Sequence, residues 1–319
     1  MARPSTVARL CAAAALITGA GTTCSQDYPN KPVRVVTYPA GGGTDFSARL
    51  IAQGLSVALG QQFIVDNRPG GVIQGEILAK AAPDGYTLLL NGSALWLAPF
   101  MQEVAYNPRD FSPVTLATIS PNVLVVHPSV PAASVKELIA VARARPGALN
   151  YASGPAGVPN HLAAELFKSL AGVDIVRIGY KGGGPALNDL IAGQVQLLFA
   201  SAGTVMPHVR SGRLRALAIT SAQPSALVPD MPTIAASGLP GYEIVSIDAV
   251  FAPGKTSAAI IGRLNREILR VLNRPDVKEK FFNAGVETVG SSPEELATRL
   301  KSEMARLGKL IKDAGIHSE

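Results

Sequence analysis

The chain has 319 residues, of which 47% are apolar, and this is enough for one large domain or two medium ones. The formal net charge is +6 without any lysine- or arginine-rich run of the kind that follows a phosphate backbone, so nucleic acid is not an expected partner. Both cysteines, Cys11 and Cys24, lie in the first 25 residues, so a chain cleaved after them has no disulfide, thiolate metal site or cysteine nucleophile.

Residues 1–25 have the layout of a secretory signal peptide. Two arginines form a basic start, an apolar run extends from Leu10 to Ala20, and small side chains precede a predicted cleavage site after Ser25. The apolar run is too short for a permanent membrane-spanning helix. We therefore predict a cleavable signal peptide and a periplasmic location. An uncleaved anchor and a lipoprotein attached through Cys24 remain alternatives.

Segments typical of strands and of helices alternate through the rest of the chain. The pattern predicts strands at Val33–Tyr38, Phe63–Val65, Tyr86–Leu90, Val123–His127, Leu149–Ala152, Asp174–Ile178, Val195–Phe199, Leu214–Thr220 and Ile244–Phe251. It predicts helices from Thr44 or Asp45 to Leu59, over Glu76–Ala81, from a Ser134 cap to Arg145, near Ala164, Leu190 and Val209, and over Ser257–Asn273, Pro275–Asn283 and Pro293–Ala314. Such alternation is typical of an α/β fold with parallel sheets covered on both faces.

A glycine-rich segment, Pro39–Asp45, lies between the first predicted strand and the first predicted helix. Ligands of open α/β sheets bind beyond the carboxyl ends of the strands. The start of a helix offers free N–H groups and a partial positive charge, which suit a carboxylate or a phosphate. The spacing fits neither the dinucleotide fingerprint nor the P-loop. A tight turn that binds nothing is the alternative interpretation.

Two later loops have the same character. Ser153–Gly157 lies between a strand and a helix and is followed by Asn160 and His161, and Tyr180–Gly184 contains Lys181. We expect two such loops, in different halves of the chain, to close on one anion. The alternatives are that His161 is bonded to a nearby carbonyl group and that Lys181 is a solvated turn residue.

The sequence contains no recognisable catalytic motif. Ser201 is the nearest match to the nucleophile-elbow pattern G-x-S-x-G, but Phe199 stands in place of the first glycine. The four histidines lack the spacing of metal ligands. Asp45 and Asp66 are better explained as a cap and a turn residue than as an acid–base pair. We therefore predict a protein that is not an enzyme and that has no metal and no cofactor. A secreted hydrolase that uses Ser153 or Ser201 remains the alternative.

Several short segments, in order along the predicted mature chain, carry a family resemblance. They are Tyr28–Arg34, Pro39–Asp45, Leu59–Gln61, Asp66–Gly70, Ala82–Leu89, Tyr180–Gly182, Gly212–Ala218 and Ala252–Gly254. No single segment is specific, but the ordered set resembles the Bug-type extracytoplasmic receptors of tripartite tricarboxylate transporters.

The resemblance implies a type II periplasmic binding protein: a two-domain Venus flytrap with mostly parallel sheets and two interdomain crossings. Residues 26–125 with 250–319 would form domain 1, and residues 126–249 would form domain 2. It implies a monomer that binds a small carboxylate (a di- or tricarboxylate, an aromatic acid or an amino acid) between the domains and delivers it to membrane permease subunits. The expected ligand-binding residues are Tyr38, Ala40, Gly41, Gly42, Gly43, Thr44, Asp45, Asn91, Ser93, Ser153, Gly154, Ala156, Gly157, His161, Ala200 and Ser201.

The sequence departs from the family pattern at three places. Ala200 replaces a frequent acidic residue, Asp248 lies where many members carry tryptophan, and Gly71–Gly75 lacks the usual glycine pattern. These places would contact the distal end of the ligand, so its identity stays open. Signalling to a sensor kinase is the alternative to transport. Trp96, the only tryptophan, follows a predicted cleft loop, so we expect its emission to report closure.

Overall fold

The structure, a computed structural model, describes residues 28–69 and 71–318. The predicted signal peptide, its cleavage site and both cysteines lie outside these residues, and their assignment stays a prediction. Within the described ranges, no helix is both long enough and apolar enough to span a lipid bilayer.

The described residues form alternating strands and helices. The strands are β1 (Val33–Thr37), β2 (Phe63–Asn67), β3 (Thr87–Asn91), β4 (Ser112–Val126), β5 (Asn150–Ser153), β6 (Val176–Gly179), β7 (Leu197–Ser201), β8 (Arg215–Ile219), β9 (Val245–Ala252) and β10 (Glu287–Thr288). The helices are α1 (Gly43–Leu59), α2 (Gly71–Ala79), α3 (Ala94–Leu97), α4 (Val135–Ala144), α5 (Pro159–Ala171), α6 (Gly183–Ile191), α7 (Ala202–Arg210), α8 (Ala258–Leu272), α9 (Pro275–Asn283) and α10 (Pro293–Asp313). Two short 3₁₀ helices, Ala98–Phe100 and Pro108–Asp110, lie between α3 and β4.

The strands form one curled, mixed sheet in the order β2-β1-β3-β9-β4-β7-β5-β6, with β8 and β10 also paired to β4. The strand–helix units pair in parallel, as predicted: β1 with β2 and β3, and β5 with β6 and β7. Every pairing of β4 and β9 is antiparallel. The expectation of mostly parallel sheets therefore needs correction to a mixed sheet, because β4 and β9, which join the halves, are antiparallel to the strands with which they pair.

Strand β4 joins the two halves of the sheet. Its residues up to Pro121 pair with β9, and its residues from Asn122 onward pair with β7 and β8. The sequence predicted a strand only at Val123–His127, so the first part of β4 was missed. The partner change at 121–122 lies close to the predicted boundary at 125/126, and β9 provides the second crossing. The domain boundaries themselves stay a prediction.

Each half has its own apolar core. In the first half, Leu55 of α1, Val271 of α8 and Phe281 of α9 pack on the sheet with the alternate side chains of β1 and β3. Gly54 permits close contact of α1 with α8, because a Cβ atom there would lie 2.4 Å from Cγ1 of Val271. In the second half, α6 and α7 pack on β4 and β7. A third cluster includes α3, α5 and α10 and spans both halves.

The predicted helix starts are confirmed at α4 and α10 and corrected at α1. The Ser134 hydroxyl accepts from the amide of Glu137, and Ser292 forms a complete capping box with Glu295. Helix α1 begins at Gly43 and has Gly42 as its N-cap, so neither Thr44 nor Asp45 caps it. Asp66, predicted as a turn residue, lies in β2 and forms ion pairs with Arg34 and Arg68.

Candidate ligand-binding site

Besides the four-residue helix α3, four longer helices that follow strands of the two halves begin without a side-chain cap. These are α1 after β1, α5 after β5, α6 after β6 and α7 after β7. By contrast, serine hydroxyls cap α4, α8 and α10, whereas α9 begins uncapped with Pro275. The first N–H groups of an uncapped helix lack an acceptor inside the helix, and they suit an anion.

The loop Tyr38–Asp45 is held in shape by its own aspartate. The Asp45 carboxylate accepts from the Gly41 amide at 3.0 Å, from Arg49 Nε at 3.0 Å and from Asn67 Nδ2 at 2.8 Å. Burial alone would raise the pKa of Asp45, but these hydrogen bonds from Arg49, Gly41 and Asn67 keep it below its ordinary value. Asp45 thus shapes the loop and is not free to contact a ligand.

Only part of this loop therefore offers amides to an anion. Gly41 has a φ of +89°, and its N–H group is already donated to Asp45. Ala40, Gly42 and Gly43 are exposed, and the N–H groups of Gly43 and Thr44 lie in the uncapped first turn of α1. This corrects the expectation that the whole glycine run binds through its backbone.

A carboxylate that the sequence associated only with the distal end of the ligand lies beneath the start of α1. Asp248 Oδ2 accepts from Ser47 Oγ at 2.6 Å and from Thr118 Oγ1 at 3.2 Å, and the Thr44 hydroxyl also donates to Asp248. Burial raises the pKa of Asp248, and the three hydroxyl donors oppose that rise. Burial is also the main cause of the raised pKa of Tyr38, and the charge of Asp248 adds to it.

The loop of the second half is supported by Arg177 of β6, which sequence reasoning missed. Arg177 Nε donates to Ser153 Oγ at 2.9 Å, and its Nη2 donates to the carbonyl oxygen of Gly154 at 2.9 Å. Ser153 is fully buried, whereas Gly154 and Ala156 are partly exposed. The side chain of Ser153 is therefore a support for the loop, and the exposed edge of the loop is its backbone.

Two side chains at the start of α5 complete this loop. His161 Nδ1 accepts from the Gly157 amide at 3.0 Å, and the imidazole ring stacks on Tyr151. This contact orders the turn but occupies the Gly157 amide, which was expected to face the ligand. The Oδ1 atom of Asn160 is buried and accepts no hydrogen bond from the described residues. An unmatched buried polar atom needs an explanation, and a bound ligand or water supplies one.

The remaining predicted site residues occupy different surroundings. Asn91 is fully buried. Its Nδ2 donates a hydrogen bond to Gln74 Oε1 at 2.6 Å, and its Oδ1 accepts one from the Gly92 amide. We therefore withdraw its side chain from the expected ligand contacts. Ala200 is partly exposed, and the Ser201 hydroxyl is bonded to Thr204 at the start of α7.

Trp96 does not lie at the strand-end loops. It is 1% exposed, donates from Nε1 to Glu303 of α10 at 3.1 Å and packs against Phe251. Its expected role as a reporter of closure is therefore not supported by its surroundings, which belong to the interface with α10.

The two halves meet directly beside these loops. Ser93, after β3, lines the same small crevice as Pro159 and Leu162 of α5. Gly157 abuts Met101, because a Cβ atom on Gly157 would lie 2.3 Å from the Met101 sulfur. The second-half loop is thus in contact with the first half through Gly157, where an added Cβ atom would displace the Met101 side chain.

We expect Gly157→Ala to lower the free energy of unfolding by about 2 kcal/mol, because its φ of +77° strains an L-residue and the new methyl group displaces Met101. Gly172→Ala is the matched control, since its φ is +60° and no atom lies within 4 Å of its added Cβ. Adding Met101→Ala is expected to reduce the cost of Gly157→Ala but not that of Gly172→Ala. A double-mutant cycle in urea with no coupling between 101 and 157 would contradict the contact.

Within the described ranges, no group of histidine, cysteine, aspartate or glutamate side chains is arranged to hold a metal ion. The two-lobed α/β sheet, with glycine loops from both halves at uncapped helix starts, defines the class of the periplasmic solute-binding proteins. The family model TctC, described as the tripartite tricarboxylate transporter family receptor, matches residues 47–316, and the chain belongs to this family.

Individual relatives agree with this assignment over nearly their whole length. The chain is 38% identical over 303 residues to protein BugT of Bordetella pertussis, which covers 93% of each protein. It is 37% identical to R. palustris Rpa4515, solved with adipate, with a TM-score of 0.74 over 91% of this chain and 99% of that one. It is 30% identical to MatC from Rhodopseudomonas palustris, solved with bound malate, with a TM-score of 0.70 over 89% and 100% of the two chains.

Proposed function

We propose that this protein captures a small carboxylate between its two halves and delivers it to the membrane permease of a tripartite transporter. The observation that carries the proposal is the pair of uncapped helix starts, α1 in the first half and α5 in the second, each preceded by a glycine loop. Amides at such positions suit an anion without the need for a positively charged side chain. The unmatched Oδ1 atom of Asn160 is an acceptor next to the second loop, so it suits a water or a hydroxyl or amino group of the ligand and not the carboxylate itself.

The ligands of the solved relatives support a carboxylate. Adipate is bound to Rpa4515, and malate is bound to MatC. Both are dicarboxylates, and one carboxylate of such a ligand would match the amides of Gly43 and Thr44. Which acid this chain takes is a separate question, because Ala200 and Asp248 differ from the residues that the family resemblance led us to expect.

In the mechanism that we propose, the ligand binds first to the loop of the first half. Closure then brings the backbone of Gly154–Ala156 and the start of α5 onto the same carboxylate. Hydrogen bonds to a charged group contribute about 1.5–3 kcal/mol each. Two or three of them support micromolar affinity once the costs of ordering are subtracted.

The other parts of the proposal concern location and partners. The predicted signal peptide would place the protein in the periplasm, where it would act as a monomer and present its closed form to the permease. No step of this cycle makes or breaks a covalent bond, so we propose a receptor without enzymatic activity. The buried Ser153 hydroxyl fits this role, because it supports the loop through Arg177.

A calorimetric screen tests the ligand class. The purified mature protein is titrated with dicarboxylates, tricarboxylates, aromatic acids and amino acids, and with the amide of each acid that binds. We expect at least one acid to bind with micromolar affinity and its amide to bind at least about tenfold more weakly, because the amide lacks the charge. If no acid binds, or if the amides bind equally well, the carboxylate proposal fails. Uptake of the selected acid by cells, lost on deletion of the gene, tests delivery.

A further inference from the structure

A cavity of about 880 Å³ lies away from the strand-end loops, between α10 and the segment that joins α3 to β4. We call it the α10 groove. Its wall is mainly apolar and consists of Leu95, Trp96, Phe100, Pro108, Phe111, Pro113, Phe251, Ala297, Leu300, Met304, Ala305 and Gly308. None of these residues belongs to the predicted carboxylate site. The volume is in the range of cavities that hold small molecules, about 300–1,000 Å³.

The sequence of α10 explains why this space exists. Ala297, Ala305 and Gly308 recur at helical spacing on the face that lines the groove, between the larger Leu300 and Met304. Because small side chains cannot fill the distance to the opposite wall, the face stays open. Gly308 brings the helix close to one point of that wall, since a Cβ atom there would lie 2.5 Å from Phe100. The groove is thus open along α10 and closed near Phe100.

The charges around the groove are predominantly positive. Its lining includes four cations, Arg109, Lys301, Lys309 and Lys312, and one carboxylate, Asp313. Asp313 pairs with Lys309, and Lys312 lies 5.6 Å from the centre of the Phe100 ring. Arg109 and Lys301 are exposed, and no carboxylate of the described residues pairs with their side chains. Two cations thus lie beside an apolar cavity without a carboxylate partner in the part of the chain that the structure describes.

We propose that the α10 groove is a second binding site, and that its ligand is an amphipathic acid with an apolar body and one carboxylate. The apolar body would lie against Phe100, Leu300 and Met304, partly exposed side chains of the wall, where burial of hydrocarbon is favourable. The carboxylate would face Lys301 and Arg109 at the exposed edge. This site is independent of the proposed function, because it shares no lining residue with the strand-end loops.

Trp96 makes the site measurable, because it is the only tryptophan of the chain and lies in the wall of the groove. The test titrates the mature protein with dodecanoate below its micelle concentration and records tryptophan emission. We expect a saturable change that excess adipate does not compete away. Dodecyltrimethylammonium, with the same chain and the opposite charge, is expected to bind at least about tenfold more weakly, because the rim is cationic. No change with dodecanoate, or equal binding of both probes, overturns the proposal.

Two variants locate the bound acid. Ala305 is exposed and lines the groove, so Ala305→Phe fills it from the rim and is expected to weaken dodecanoate binding at least about tenfold. Lys301→Gln is expected to weaken it about threefold, as befits an exposed charge, while Lys278→Gln on α9 leaves it unchanged. Binding that is unchanged in both groove variants overturns the site.

Two further experiments distinguish the acid from other occupants of the groove. Dodecanoate binding without co-sedimentation with vesicles of anionic phospholipid would identify the ligand as a free acid and support the site. Co-sedimentation that is lost in Ala305→Phe, without dodecanoate binding, would assign the groove to the phosphate headgroups of a membrane and overturn the proposal. Light scattering that shows a dimer disrupted by Ala305→Phe, without dodecanoate binding, would assign the groove to a second copy of the chain and overturn the proposal.

Discussion

Replacing Gly43 by proline is expected to weaken carboxylate binding about ten- to hundredfold while α1 stays folded. Gly43 is the first residue of α1, a position that tolerates proline well. Gly42 before it has φ −87° and ψ 169°, the extended conformation that a residue preceding proline prefers. The substitution therefore removes one N–H group with little disturbance of the helix, and a lost hydrogen bond to a charged group costs about 1.5–3 kcal/mol.

The matched control is Gly43→Ala, which keeps the N–H group. A Cβ atom at Gly43 meets no atom within 4 Å, so alanine fits. We expect its affinity, measured by calorimetry with the acid that the screen selects, to stay within about twofold of the wild type. Urea unfolding of both variants checks that the fold is retained. Wild-type affinity in the proline variant would rule out the first turn of α1 as the anion-binding element.

Much of this fold could be predicted from local patterns in the sequence. Short β-branched runs and helical periodicity, separated by glycine and proline, located most elements within a few residues. The first part of β4 was missed because Ser112-Pro113 and Ser120-Pro121 have the local character of loops. Its strand conformation depends on pairing with β9, more than a hundred residues later in the chain, and no local pattern contains that information.

The candidate site was predictable in place but not in detail. Glycine loops at strand ends indicated where a ligand would bind, since that rule depends only on the order of elements. The hydrogen bonds of Gly41 to Asp45, of Gly157 to His161 and of Asn91 to Gln74 depend on side-chain directions that spacing does not fix. Asp248 did leave a signal, because it is the only charged residue in the mainly apolar strand β9.

Asp248→Asn is expected to remove a pH dependence of stability. The pKa of Asp248 is raised in the folded protein, chiefly by burial, so the unfolded chain releases this proton at a lower pH. As the pH rises from the ordinary value of about 3.9 through the raised one, the carboxyl group makes the wild type progressively less stable. Asparagine does not titrate. The free energy of unfolding of Asp248→Asn relative to the wild type should therefore increase over this range and then level off, as urea titrations at several pH values will show.

Asp248→Ala separates the charge from the hydrogen bonds. Alanine leaves the hydroxyl groups of Ser47, Thr44 and Thr118 without their acceptor, so we expect a loss of about 1–3 kcal/mol at neutral pH. Asp230→Ala, at an exposed position, is the control and should change stability by less than about 0.5 kcal/mol. A relative stability of Asp248→Asn that does not vary with pH would show that this carboxyl group does not titrate differently in the folded and unfolded chains.

Asp248→Asn also connects stability to ligand choice, because Asp248 contacts Thr44. The hydroxyl of Thr44 donates a hydrogen bond to Asp248, and the amide of Thr44 belongs to the first turn of α1, so the carboxyl group lies close to the proposed anion site. At pH values above the raised pKa of Asp248, removal of its negative charge should tighten the binding of an acid without an amino group about three- to tenfold, and less so at high salt. For an amino acid the sign reverses, because the ammonium group of the ligand would lose Asp248 as its partner. Calorimetry on one acid of each kind thus shows whether Asp248 selects against negative charge or for positive charge, and equal affinities in wild type and variant for both would exclude either role.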